Sequence, residues 1–299
     1  MSEFQKITAI TPSFSSKTNA LLDEIMADVS LMNELHALGI SDQEIPHYVT
    51  LLISYLDSKK ICSSCKGLSD CQSDTPYMAR SLSMSSSGRL SSCLGPCKFK
   101  MAEITKDMNF LYRDFDPEWN SLSLAAIKVE RAKELRMAMT KCAKKDSAKK
   151  WCYVKGESGS GKSYYLAAFA NAFASKGKTV AFIDTNKRFD ELKNYAIKDK
   201  AAFEKAMSAL SNVEYLFLDG LGNEYRSDYV RDQIIMPLLS YRSKNSLCTF
   251  FSSEFSISEI GALYSKSRVD EIIAKRLVSL LRKNVEKEVE MKQGVDSYF

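Results

Sequence analysis

Residues 151–163 read WCYVKGESGSGKS, and the helical pattern YYLAAFANAFASKG follows directly. A short apolar run breaks into a glycine-rich turn, then a Lys-Ser pair opens a helix. The turn fits the phosphate loop G-x-x-x-x-G-K-[ST], the Walker A form, at every fixed position and between the strand and helix that the motif requires. Glycines let consecutive backbone N–H groups turn inward on phosphate oxygens, and the positive end of the following helix strengthens that field. The candidate nucleotide-binding residues are therefore Gly156, Glu157, Ser158, Gly159, Ser160, Gly161, Lys162, Ser163 and the adjoining Tyr164. Lys162 is placed to reach the β and γ phosphates, and the Ser163 hydroxyl to ligate Mg²⁺.

Outward from this stretch the pattern alternates. TVAFIDT is followed by KRFDELKNYA and AFEKAMSALS, EYLFLD by DYVRDQIIMPLLSYR, and LCTFFSS by ISEIGALY and VDEIIAKRLVSLLRK. Such alternation predicts an α/β fold with a parallel sheet covered by helices on both faces, and ligands at the carboxyl ends of the strands. LFLDGLGNE, residues 216–224, ends its apolar run on Asp219. A carboxylate at that strand end is placed to hold magnesium, directly or through water.

At 299 residues the chain is long enough for two unequal domains. The expected boundary separates residues 1–103 from the nucleotide-binding domain, residues 104–299. Residues 20–57 read as a helical hairpin: Leu22, Ile25, Val29, Met32 and Leu35 recur at helical spacing, Gly39 breaks the run, and Ser41 with Glu44 forms a capping box. This apolar stripe is expected to serve its own core. From 104 to 120 an aromatic linker leads into the second domain. Residues 128–150 hold nine Lys or Arg against three acids, so this segment carries more than the whole net charge of +5. It reads as a solvated helix face, with phosphate-backbone contact the second reading. No apolar stretch approaches the roughly 20 residues that cross a bilayer. The N-terminus lacks a secretory signal, which points to a cytoplasmic protein without a membrane partner.

Five cysteines fall between residues 61 and 101: Cys62, Cys65, Cys71, Cys93 and Cys97. The Cys62-x-x-Cys65 spacing lets two thiolates point at one tetrahedral zinc, and Cys93-x-x-x-Cys97 can form the other half. Zinc takes four ligands, so one cysteine is spare: Cys62, Cys65 and Cys97 are expected ligands, with Cys71 and Cys93 competing for the fourth place. Cys142, Cys152 and Cys248 are isolated in sequence and read as core residues.

The phosphate loop with Tyr164 and Leu166, FLDGLGNE, VRDQIIMPLLSYR, TFFSSEF and AKRLVSLLR together resemble the AAA+ replicative helicase loaders of the DnaI/DnaC type, and the cysteine segment is similar to the zinc-bearing N-terminal domain of the DnaI branch. The resemblance covers roughly residues 20–290. It implies an ATP- and Mg²⁺-binding protein acting on a DnaB-type helicase hexamer and on single-stranded DNA, with a self-oligomer forming on the helicase. Asp219, Glu224 and Arg276 are the candidate catalytic residues; the resemblance makes Arg276 an arginine finger for a neighbouring subunit, and matches Glu224 to a glutamate that the family also carries, which points to a different job for it. Two positions depart from the family. Gly220 stands where a second acid orients the attacking water, and Glu254 replaces a polar sensor asparagine. Loss of a general base typically costs about 10² to 10⁴ in rate, so hydrolysis is expected to be slow unless Glu224 substitutes. A further motif arginine is replaced by Leu280, with Arg282 close by. The competing readings are a nucleotide-switched binding module that does not hydrolyse ATP, and an IstB-like transposition ATPase, against which the cysteine domain argues.

Overall fold

A computed structural model describes residues 16–125, 127, 129–265 and 267–292. The N-terminal stretch read for a signal, together with Ala126 and Lys128, lies outside the described residues. The chain divides into two compact units, Met1–Ala102 and Glu103–Phe299.

In the first unit, helices α1 (Ser16–Ala27), α2 (Val29–Ala37) and α3 (Val49–Ser64) precede an antiparallel hairpin, β1 (Met78–Met84) and β2 (Leu90–Pro96). Asp28 interrupts the expected first helix, because its carboxylate accepts from the Leu31 N–H and caps α2. That break turns Val29 out to solvent, 71% exposed, so it does not belong to the apolar stripe. Gly39, at φ +84°, ends the run as expected. Glu44 accepts from both the N–H and the hydroxyl of Ser41, but a 3-10 turn, Ile45–Tyr48, comes next and the long helix begins only at Val49. The stripe does bury itself. Ile25, Leu31, Leu35, Leu52 and Leu56 form one core with Leu82 and Leu90 of the hairpin, and that core takes no residue between Leu56 and Leu82.

Helix α4 (Lys98–Met108) leads to β3 (Phe110–Arg113), then α5 (Val129–Ala143), β4 (Trp151–Lys155), α6 (Lys162–Ala174), β5 (Val180–Asp184), α7 (Thr185–Lys198), α8 (Lys200–Asn212) and β6 (Tyr215–Asp219). A π-helical stretch, Val230–Ile235, runs into α9 (Met236–Lys244), followed by β7 (Cys248–Ser253), α10 (Ile257–Leu263), α11 (Arg268–Asn284) and β8 (Val285–Glu290). Six strands form one parallel sheet in the order β3-β5-β6-β7-β4-β8. Part of the aromatic linker is thus an edge strand, and β8 is a strand that the alternation did not announce. Successive strand residues serve opposite faces, as their pleat requires. Trp151, Tyr153, Ile183, Leu218 and Phe251 pack under α7 to α11, while Cys152, Val154, Phe182, Phe217 and Phe250 pack under α5 and α6. Because β7 lies between β4 and β6, the residues at its carboxyl end sit between the phosphate loop and Asp219.

Candidate nucleotide site

The loop after β4 is built for glycine. A Cβ on Gly156 would stand 2.3 Å from the Met291 carbonyl oxygen, and Gly159 and Gly161 hold φ of +77° and +88°. Backbone strain would oppose most side chains at the last two positions. Gly161 leads into α6, whose first residue, Lys162, is buried. The Lys162 ammonium donates to the carbonyls of Gly156 and Glu157, both at 2.7 Å, and to Ser160 Oγ at 3.4 Å. Burial pushes its pKa down, and the Glu254 and Asp219 carboxylates oppose that shift.

The structure brings Ser163 and Asp219 together. Ser163 Oγ donates to Asp219 Oδ1 at 2.9 Å. A hydroxyl and a carboxylate in contact, both facing a phosphate loop, form the donor set that Mg²⁺ takes, so the residues fit the ion. Ser252 of β7 also donates to Asp219 Oδ1, and its own oxygen accepts from the Gly220 N–H at 2.9 Å. Burial raises the Asp219 pKa, and the hydrogen bonds from Ser252 and Ser163 counter it. Ser252 therefore belongs to the site. The sequence reading singled out TFFSSEF for its glutamate and passed over this serine, which reaches Asp219 only because β7 pairs with β6.

Gly220 adopts φ +79°, with its would-be Cβ 3.6 Å from Thr185 Oγ1 and 3.7 Å from Asn223 Nδ2. Thr185 Oγ1 donates to the Gly220 carbonyl at 2.8 Å and fixes the turn. Glu224 is 2% exposed. It accepts from the Gly222 N–H at 2.7 Å and from the Tyr264 hydroxyl, and burial raises its pKa. Both carboxylate oxygens face inward contacts rather than the phosphate loop. Glu254 is exposed beyond the end of β7. Tyr164 is half-buried and meets Trp119 edge-on, their ring centroids 5.7 Å apart.

Arg276 is not joined to this site within its own chain. It is exposed on α11, and among the described residues it makes no hydrogen bond or ion pair. Arg282 donates to Ser258 Oγ at 2.7 Å. The basic run is partly spent on the sheet edge: Lys141 of α5 pairs with Glu286, and Lys149, in the segment between α5 and β4, donates from Nζ to the Val285 carbonyl at 3.1 Å.

In the first unit Cys65, Cys71 and Cys97 are near enough to Cys62 to act on its thiol. Burial raises the Cys62 thiol pKa, and Cys97, Cys65 and Cys71 add to the shift in that order. The N–H of Tyr77 points at Cys71 Sγ, 3.3 Å away, and that of Lys100 at Cys97 Sγ, 3.5 Å away. Cys93 is exposed on the hairpin and contacts Ser83 Oγ at 3.3 Å instead. Among the described residues, no three His, Cys, Asp or Glu side chains are gathered closely enough to hold a metal ion as they stand. Also among the described residues, no helix is long and apolar enough to cross a membrane. The three cysteines read as isolated are buried near one another in the second unit, where Cys248 Sγ meets the Cys142 carbonyl at 3.5 Å and Cys142 Sγ that of Trp151 at 3.2 Å.

No protein-family profile matches the chain. It is similar to the replicative helicase loader DnaI of Bacillus subtilis (strain 168), at 26% identity over 280 residues that cover 89% of each chain. The crystal structure of the DnaI superposes with a TM-score of 0.54 at 28% identity, covering 62% of this chain and 99% of that one. The resemblance drawn from the motifs is borne out along most of the sequence.

Proposed function

We propose that this chain is a replicative helicase loader of the DnaI/DnaC type that binds ATP and Mg²⁺ through Lys162, Ser163 and Asp219 and acts on a DnaB-type helicase hexamer in the cytoplasm. The observation that carries this reading is the joining of the phosphate loop to the strand-end acid, Ser163 to Asp219, in a chain similar to a loader over 89% of its length. When bound, Mg²⁺ neutralises charge on the β and γ phosphates. The protein's own part is to present inward N–H groups, the Lys162 ammonium and a carboxylate held by Ser252.

Turnover is proposed to be slow. Position 220 has no carboxylate, and Glu224 is buried against Tyr264, where it steadies the loop that follows Asp219. These features favour a second reading of the same site, in which ATP is chiefly a ligand that selects an assembly state. Arg276, exposed on α11, is the candidate finger for a neighbouring copy. Single-stranded DNA finds a chemically suitable surface where Tyr225, 72% exposed, carries the Lys193 ammonium 4.9 Å from its ring centroid, beside exposed Arg226. Bases stack on exposed aromatics while cations meet the backbone. In the first unit, Cys62, Cys65, Cys71 and Cys97 are the proposed zinc ligands, with Cys93 the spare. Backbone N–H groups aimed at two of the sulfurs suit thiolates.

The test is mixing with the replicative helicase of the same cell. Co-elution in size exclusion is expected for the chain itself, together with a rise in melting temperature on adding ATP and Mg²⁺. Lys162→Ala should lose that rise. Failure to associate with the helicase in any nucleotide state would overturn the reading.

A further inference from the structure

Glu254 adds a negative charge at the end of the sheet that carries the phosphate loop. It follows β7, the strand between the phosphate loop and Asp219, and its field reaches Lys162. Like charges a few ångströms apart in a partly dry site repel strongly unless a cation lies between them. Among the described residues, the lysines at the two ends of the loop, Lys155 and Lys162, already have partners within the chain. Lys162 is held by the carbonyls of its own loop. Lys155, opposite Ser253 in the register, pairs with Glu259 at 3.3 Å. Glu157 and Asp184, both exposed at the same ends of the sheet, add to the negative rim.

The complementary surface is on the same chain but is not joined to that rim. Along α11, Ile272, Arg276, Ser279 and Lys283 are exposed at the i, i+4, i+7, i+11 spacing of one helix face. Lys275 on the next face is taken by Glu271 at 2.6 Å, and Arg282 by Ser258. Among the described residues, Arg276 and Lys283 have no ion-pair partner. A guanidinium presents five donors in a planar fork, enough to hold a carboxylate and a phosphate oxygen together.

We propose that Arg276 of a second copy of this chain pairs with Glu254, so that the phosphate loop accepts ATP well only when two copies stand side by side. The inference rests on the reading of Arg276 as an intersubunit residue and adds the partner that it meets in the protein. By linkage, assembly tightens ATP binding and ATP tightens assembly by the same factor. The carboxylate at 254 is then what couples the two.

The experiment measures the affinity of the full chain for a labelled non-hydrolysable ATP analogue over a range of protein concentrations, with sedimentation reporting self-association. The wild-type affinity is expected to rise about tenfold or more as copies associate, within the range of allosteric couplings. Glu254→Asn, or Glu254→Gln should the first variant fold poorly, is expected to bind tightly at every concentration. Arg276→Glu is expected to bind weakly at every concentration, and Glu254→Arg combined with Arg276→Glu to recover the dependence. Affinity of the wild type independent of concentration, or dependence retained in both Glu254 variants, would overturn the inference. If Arg276→Ala abolishes turnover while the Glu254 variants keep the dependence, the finger reading survives and this pairing falls. If the charge swap restores the dependence while Arg276→Ala leaves turnover intact, the pairing stands and the finger reading falls.

Discussion

Glu224 is where one side chain separates two accounts of the site. A general base needs an oxygen turned toward water, whereas both Glu224 oxygens are engaged, by the Gly222 N–H and by the Tyr264 hydroxyl. Its pKa is raised from the ordinary 4.5 by burial. A raised folded-state pKa contributes stability that is complete below the unfolded value and is lost as pH rises through the folded one. The wild type should therefore lose stability by this group as pH rises above 4.5, and Glu224→Gln should not. The amide keeps both contacts, with its oxygen accepting from Gly222 and its nitrogen donating to Tyr264. Denaturant melts at pH 5 and pH 8 are expected to show the variant gaining on the wild type at the higher pH, with turnover changed little. A fall of about 10² or more in turnover, the usual cost of removing a general base, would make Glu224 the base. At this scale the phosphate loop was legible because its spacing is local and set by backbone geometry. Ser252 and Tyr264 were not, because strand pairing and helix packing bring them in from 33 and 40 residues away.

Between elements, Arg242 shows how the sheet is closed on its far side. It stands on α9, fully buried, and among the described residues it has no carboxylate partner. Its guanidinium donates to the carbonyls of Leu210, Ser211 and Val213 at 3.1, 3.2 and 2.7 Å, to Cys248 at 2.5 Å, and to Thr249 Oγ1 at 2.9 Å. The end of α8 and the start of β7 thus share one cation, which also receives the negative end of the helix dipole. Arg242→Met fills similar volume but leaves those carbonyls buried and unpartnered, so a loss of about 3 to 5 kcal/mol is expected, the cost of breaking a buried charge network. Urea unfolding of the second unit checks it, and a loss below about 1 kcal/mol, the size of an ordinary hydrogen bond, would refute it. Central strands were readable as apolar runs because both their faces are covered. Edges were not. Phe110–Arg113 is only four residues long, and Val285–Glu290, reading VEKEVE, buries just Val285 and Val289, so neither carries the apolar run that marked the interior.

At the scale of the whole chain, the two units differ in how they are held. The second has a core on each face of its sheet, while the first has one core to which the segment between Leu56 and Leu82 contributes nothing. That segment carries Cys62, Cys65 and Cys71, so metal is proposed to do there what apolar burial does elsewhere. The sequence narrowed the ligands to four of five but left Cys71 against Cys93 open, because spacing favours a second close pair, and only the register Ser81 to Cys93 turns Cys93 to the hairpin's outer face. Cys71→Ser is therefore expected to lower zinc affinity by more than the roughly 10- to 100-fold that an outer-shell partner costs, and to loosen residues between 57 and 101 in hydrogen exchange. Cys93→Ser should leave metal content unchanged. Since the second unit keeps its own cores, the ATP-dependent rise in its melting temperature should persist in both variants and in chelator-treated protein. Metal analysis of protein purified without chelator decides the matter: loss of zinc in Cys93→Ser with retention in Cys71→Ser would reverse the assignment, and a wild type free of zinc would remove the metal altogether.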